Sequence, residues 1–369
     1  MNMYPNARTD AFIGIHVGPL QKLSNGVSEL TGGRAWESRK DTSSIQFQQF
    51  DIVTGHSDHY YSSSKQSRKE KDAFINPDNA VHKKIMKEWK ILEKGLPETI
   101  YVRVYEDRIN LLRAVIVGPS GTPYHDGLFF FDIVFPSNYP HSPPKVHYHA
   151  HGLRVNPNLY ETGFVCLSLI NTWNGNAKER WDSSASTILQ VLVSIQGLVL
   201  NEEPYFNEPV NADCKNKDVK NQIAKSLAYK ENVFILSCKT MLYTLQKPPK
   251  HFRVFINEHF GRCRDAILGA IQAYRDGVVR VGHYQHDDDD DGCSSSSSRV
   301  RVTSHFETNA NKLYSELRQA FDKKLGMADE NINIVEKETS NASKKPKLEE
   351  ELKHGTFHKV IGVLKSFWN

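Results

Sequence analysis

A cysteine that follows a proline-restrained asparagine by eight positions is the part of this sequence best equipped for chemistry. Residues 153 to 173 read Leu-Arg-Val-Asn-Pro-Asn-Leu-Tyr-Glu-Thr-Gly-Phe-Val-Cys-Leu-Ser-Leu-Ile-Asn-Thr-Trp. Within them Asn156-Pro157-Asn158 is turn-prone, because proline fixes its own φ and restricts the residue before it. That restraint holds the Asn158 amide in place. Glu161-Thr162-Gly163 offers a second turn, and Phe164-Val165 brings the chain up to Cys166. A thiol facing a fixed amide N–H donor suits acyl transfer on sulfur, in which negative charge develops on a carbonyl oxygen.

The surrounding elements must hold that loop. From Val81 to Lys94 the apolar residues Val81, Ile85, Trp89 and Leu92 fall on one helical stripe, with Lys83, Lys84, Lys87, Lys90 and Lys94 around the rest. Four short apolar runs follow: Tyr101 to Tyr105, Leu111 to Val117, Leu128 to Phe135 and Val146 to Ala150. Turn residues bound each of them, which predicts an antiparallel meander. Tyr139 to Pro144 is too rich in proline for a central strand. Beyond Cys166, a polar loop over 171–180 precedes an amphipathic stretch from Trp181 to Leu200. A second long helical pattern runs from Asp218 to Gln246 and ends at Pro248-Pro249. The expected fold is α+β: a four-stranded antiparallel meander sheet flanked by helices, with disordered or helical extensions.

The chain has 369 residues, enough for two or three domains. We expect a mostly disordered extension over 1–76, a catalytic core over 77–249, an added helical segment over 250–284, and a linker, short helix and basic tail over 285–369. In the first of these, Phe50-Asp51-Ile52 and Ser57-Asp58-His59 are read as packing on the core or as a mobile docking motif. Charges nearly balance, 47 basic against 43 acidic, which gives no argument for nucleic acid as a partner. No apolar run is long enough to span a membrane. Five cysteines without a paired framework suit a reducing compartment, and the N-terminus lacks a signal pattern, so cytoplasm or nucleus is expected. His147, His149 and His151 alternate but have no acidic or thiol companion at ligand spacing, so they are read as ordinary strand and loop residues. Asp287 to Asp291 and Ser294 to Ser298 read as a solvated linker, and Lys344-Lys345-Pro346-Lys347 as a basic patch similar to a minimal nuclear-import signal. Cys214, Cys238, Cys263 and Cys293 are assigned no catalytic role.

Taken together, the motifs resemble the ubiquitin-conjugating (E2) enzymes. Carrying the resemblance are Gly118-Pro119-Ser120-Gly121-Thr122-Pro123-Tyr124-His125-Asp126-Gly127, then Phe135-Pro136, Tyr139-Pro140 and Pro143-Pro144. Asn156-Pro157-Asn158, Cys166-Leu167-Ser168-Leu169 and Ser194-Ile195-Gln196-Gly197-Leu198 follow in the same order, over roughly residues 80 to 245. The Asn-Pro-Asn form, the longer loop after the cysteine and Tyr205 to Pro209 are similar to the large plant conjugating enzymes and the hybrid conjugating-enzyme/ligase proteins. The resemblance implies that Cys166 carries ubiquitin as a thioester and passes it to a substrate lysine. It implies ubiquitin, the activating enzyme, protein substrates and a ligase as partners. No cofactor is expected on this chain, since ATP is consumed upstream by the activating enzyme.

Asn158 then donates to the oxyanion or braces the Cys166 loop. Two departures stand out: the family's usual histidine is Asn156 here, and its acidic gate is unaligned. Asn207 and Glu208 are the gate candidates, Glu208 being the carboxylate that would orient or deprotonate the incoming amine; Tyr205 and Phe206 flank the approach. The ligase-facing loops are also changed, to His141 and to Trp181-Asp182-Ser183-Ser184. Alternatives are a conjugating enzyme for a ubiquitin-like modifier, a non-catalytic ubiquitin-binding relative, and a cysteine hydrolase, which would need a histidine base beside Cys166.

Overall fold

A computed structural model describes residues 47–63, 73–173, 175–212, 219–284 and 299–341, with side chains of 177, 209, 212 and 325–341 left out. Cys214, Cys293, the Asp287–Asp291 and Ser294–Ser298 runs and the Lys344–Lys347 patch lie outside the described residues. Two units are present: one runs through Asp322, and the other, from Lys323, contributes the later part of the last helix.

Five strands form one sheet in sequence order: β1 Phe50–Val53, β2 Ile100–Tyr105, β3 Leu111–Val117, β4 Leu128–Val134 and β5 Lys145–Tyr148. The expected meander is β2 to β5, each pair antiparallel. The fifth strand, β1, comes from the segment placed in the N-terminal extension and lies parallel to β2, with Phe50 opposite Val102. Helix α1 covers Ala80–Gly95, and its N-cap Asn79 accepts a hydrogen bond from the Val81 amide. Helix α2 spans Ile188–Ser194 and continues as a π-turn over Ile195–Val199. It begins seven residues later than Trp181, where the amphipathic pattern starts, because Thr187 and Gln190 form a capping box there. Helix α3 is Val219–Gln246, α4 is Arg253–Arg275 and α5 is Ser304–Asn341.

Both faces of the central strands are buried, which explains why β3 and β4 read as nearly continuous apolar runs. One face packs Leu112, Ala114, Phe129, Phe131 and Ile133 against Ile85, Trp89 and Leu92 of α1 and Ile188, Leu192 and Ile195 of α2. The other face is covered by the N-terminal segment and α4. Phe252 meets Phe130, Phe255 meets Tyr101, and the Arg103 guanidinium lies 4.1 Å over the Phe47 ring. At the centre of this second face Arg113 forks onto Asp132 with bonds of 2.6 and 2.9 Å. Asp58 adds a third contact to Arg113 at 2.8 Å and accepts from the Lys250 amide, so strand, N-terminal segment and the start of α4 meet at one buried charge. The segment Phe50-Asp51-Ile52 with Ser57-Asp58-His59 therefore packs on the core.

Glu88 of α1, fully buried, accepts from the Tyr139 hydroxyl at 2.8 Å and from the Ile188 amide at 3.0 Å. Its carboxylate thus lies against the unpaired amides and positive dipole end of α2. Leu313, Leu317 and Phe321, together with Phe306 and Ala310, are buried on α5, a far longer helix than the short one expected within residues 285–369.

Candidate active site

Cys166 sits on a loop clamped from both sides. Its amide donates to the Asn158 carbonyl at 2.9 Å, and the Asn158 side-chain amide donates to the Cys166 carbonyl at 3.0 Å. Leu159 pairs with Val165 as a short antiparallel bridge, which closes the turn between the two residues. Thr172 holds the other flank: its hydroxyl accepts from the Leu167 amide at 2.9 Å and donates to the Val165 carbonyl at 2.8 Å. Sequence reasoning missed Thr172, and only its closeness to Cys166 in the chain could have pointed to it. The thiol lies 3.6 Å from the Thr172 carbonyl, and Cys166 keeps 4% of its surface open.

Beneath the loop, Asn156 is fully buried and saturated. Its amide donates to the Tyr124 hydroxyl and to the Val199 carbonyl, both at 2.7 Å, while its oxygen accepts from the Asn158 amide at 2.8 Å. Where the resemblance has a histidine, asparagine supplies the structural hydrogen bonds. Asn207 extends the same network, donating to Asn156 at 3.3 Å and to Val199 at 3.1 Å, and accepting from Asn201 at 2.6 Å. Its side chain is committed to the scaffold. Glu208, the other gate candidate, is about half exposed, and the Arg154 guanidinium lies 3.9 Å from its carboxylate. Arg154 in turn lies 4.4 Å over the Tyr160 ring. Tyr205 packs edge-on against Phe206 and Tyr229, and Phe206 is exposed.

Burial, and secondarily the negative charge of Glu208, pushes the Cys166 thiol above its ordinary pKa. Burial and the neighbouring Asp126 push the Cys263 thiol up to about 12. Cys238 is fully enclosed. Among the described cysteines, Cys166 alone joins a carboxylate on an exposed rim to a braced asparagine. No group of three or more His, Cys, Asp or Glu side chains suited to a metal is found among the described residues. His147 is stacked under Tyr60 and His151 under Tyr243, while His149 lies 3.1 Å from Asp132. No described helix is long and apolar enough to cross a membrane.

The two loops expected to face a ligase are joined to each other. The Trp181 indole donates to the Pro140 carbonyl at 2.6 Å and packs on Tyr139, and Asp182 accepts from the Ser184 amide and hydroxyl.

A family model described as ubiquitin-conjugating enzyme matches residues 84–234, from α1 into α3. An Arabidopsis thaliana protein named as ubiquitin-conjugating enzyme E2 25 is 55% identical over 233 residues, covering 63% of this chain and 37% of that relative. Another from the same plant, named as ubiquitin-conjugating enzyme E2 38, is 53% identical over 232 residues, 63% of this chain and 69% of the relative. The human dual E2 ubiquitin-conjugating enzyme/E3 ubiquitin-protein ligase BIRC6 is 34% identical over 260 residues, 66% of this chain and 5% of the relative. The chain thus spans little more than a third of the E2 25 relative's length.

Proposed function

The chain belongs to the ubiquitin-conjugating enzyme family, and from that premise we propose that Cys166 carries ubiquitin as a thioester and hands it to a substrate lysine. The Cys166 sulfur attacks the carbonyl carbon of the thioester that joins ubiquitin's C-terminal glycine to the activating enzyme. A new C–S bond forms, the old one breaks, and the proton given up by the Cys166 thiol is balanced by the one the activating enzyme's departing thiolate takes up. One thioester replaces another, so the step needs no energy source on this chain. A lysine amine then attacks the Cys166 thioester, the C–S bond breaks, an amide forms and the amine releases a proton. In this reading Glu208 is the carboxylate that orients that amine or takes its proton. Asn158 holds the loop rigid and, with one side-chain N–H to spare, lends a donor to the developing oxyanion.

The observation that carries this reading is the reciprocal pair of hydrogen bonds between Asn158 and Cys166, within the matched region. Exposed Lys83, Lys87 and Lys94 on α1 form the basic surface for the activating enzyme. Residues 1–46 and 342–369 are read as substrate-selecting; deleting them leaves every described element whole, and substrate transfer unchanged by that deletion would refute the role.

The test is incubation with activating enzyme, ATP and ubiquitin, followed by a non-reducing gel. The expected result is a reductant-sensitive band one ubiquitin heavier, absent in Cys166→Ala and converted to a reductant-resistant ester in Cys166→Ser. A band only with a ubiquitin-like modifier would move the substrate and keep the chemistry. No band with any modifier overturns the proposal.

A further inference from the structure

We propose that Tyr60 and His147 are positioning residues for the Cys166 loop, linking the N-terminal segment to the reacting sulfur through a stack of one phenol and one imidazole. The two rings lie parallel, 7° apart, with centroids separated by 3.4 Å. Tyr60 is 57% exposed, so burial does not hold its ring there. Its backbone does: the Tyr60 amide donates to Asp132 at 2.7 Å, and Asp132 is fully buried and forked onto Arg113. Asp58 and His59, immediately upstream, bond Arg113 and the Leu112 carbonyl. A surface aromatic pegged by a buried charge pair needs a reason, and the reason lies on the far side of His147.

There the imidazole meets Gly163. A β-carbon added to Gly163 would fall 2.1 Å from the His147 Cε1 atom, so the backbone is in direct contact with the ring. Stacking at 3.4 Å fills one face of the imidazole, which places Gly163 against the other. Gly163 has φ +87°, a conformation that side-chain-bearing residues rarely adopt, and it closes the turn three residues before Cys166. The same short stretch is knitted to β5: the Tyr148 amide donates to the Gly163 carbonyl at 2.8 Å, and His147 pairs with Phe164 as a bridge. His147 is therefore a wall of the turn that presents Cys166, and Tyr60 is what keeps that wall upright. Burial lowers the imidazole's pKa to about 4, so the ring stacks uncharged at neutral pH.

This inference rests on the acyl-transfer reading of Cys166, and the experiment separates the two. The full chain, as wild type, Tyr60→Ala, Tyr60→Phe, His147→Ala and the Ala double variant, is charged with ubiquitin and discharged onto free lysine over a range of concentrations. In parallel, each uncharged chain is alkylated with iodoacetamide and the Cys166 adduct followed by mass spectrometry. Tyr60→Ala is expected to lower the maximal discharge rate by about 10-fold to 10²-fold, as for a displacement of about 1 Å remote from the chemistry, with the KM for lysine little changed. Alkylation of Cys166 should change in the same variant. Tyr60→Phe keeps the stack and should match wild type, while Tyr60→Ala should add little to His147→Ala. Wild-type rates in Tyr60→Ala, or a Tyr60→Phe as impaired as Tyr60→Ala, would overturn the proposal. A wild-type chain that accepts no modifier overturns the catalytic reading alone, since alkylation still reports on the stack.

Discussion

Asn158 and Cys166 hold each other by their backbones and one side chain: amide to carbonyl at 2.9 Å in one direction, side-chain amide to carbonyl at 3.0 Å in the other. The asparagine is thus a brace in this state of the loop. Asn158→Ala should cost stability of about 0.5–1.5 kcal/mol, the worth of an ordinary hydrogen bond. Discharge of the Cys166 thioester onto lysine should fall by roughly 10²-fold or more if the same amide serves the oxyanion. Single-turnover discharge beside urea unfolding of the same variant separates the two effects. A stability loss with unchanged discharge would leave bracing as its sole role.

Cys166 is a thiol whose charged form is disfavoured, first by burial and then by Glu208. Because its pKa lies above the ordinary thiol value, the thiolate fraction at neutral pH is depressed and alkylation must rise with pH to a midpoint above the usual one. Glu208→Gln removes the smaller cause, so the profile should move toward lower pH without returning fully. Discharge onto lysine should fall in the same variant. A profile that stays in place would show that Glu208 does not face the sulfur.

Asn156 carries two donated and two accepted hydrogen bonds in a fully buried position. In Asn156→Ala the Tyr124 hydroxyl keeps Val155 and the Val199 carbonyl keeps Asn207, while the Asn158 amide loses its partner. The expected loss is about 1–3 kcal/mol, read from urea unfolding of the full chain. Asn207→Ala removes one edge of the same network and should cost less.

The charge pair under the N-terminal segment gives a further test. Asp132→Ala leaves Arg113 buried with only Asp58 to face it, and should destabilise by about 3–5 kcal/mol. His59 beside it donates to the Leu112 carbonyl and accepts from the Tyr61 amide, so it is neutral, and burial lowers its pKa to about 4. The stability this provides is present above the ordinary histidine range and is lost as pH falls through about 4. Melting temperature should therefore fall from about pH 6.5 downward, and less steeply in His59→Gln.

Much of the site could be read from the chain alone, because its geometry is local. Asn156, Pro157, Asn158, Gly163 and Cys166 lie within eleven residues, and turn chemistry over so short a span leaves few backbone paths. The helices α1, α3 and α4 and the strands β2 to β5 were legible for the same reason, each having its periodicity within its own residues. Choosing between Asn207 and Glu208 was not a local matter: neighbours in sequence, one turns inward to Asn156 and Val199 and the other toward Arg154. Nor did any local pattern place Phe50 beside Val102, Asp58 against Arg113 or Tyr60 over His147. Residue types and short spacings determined which atoms are candidates for the chemistry, since those depend on neighbours in the chain. Only the tertiary structure decided what steadies them, because a second buried sheet face must be covered, and its cover comes from segments dozens of residues away.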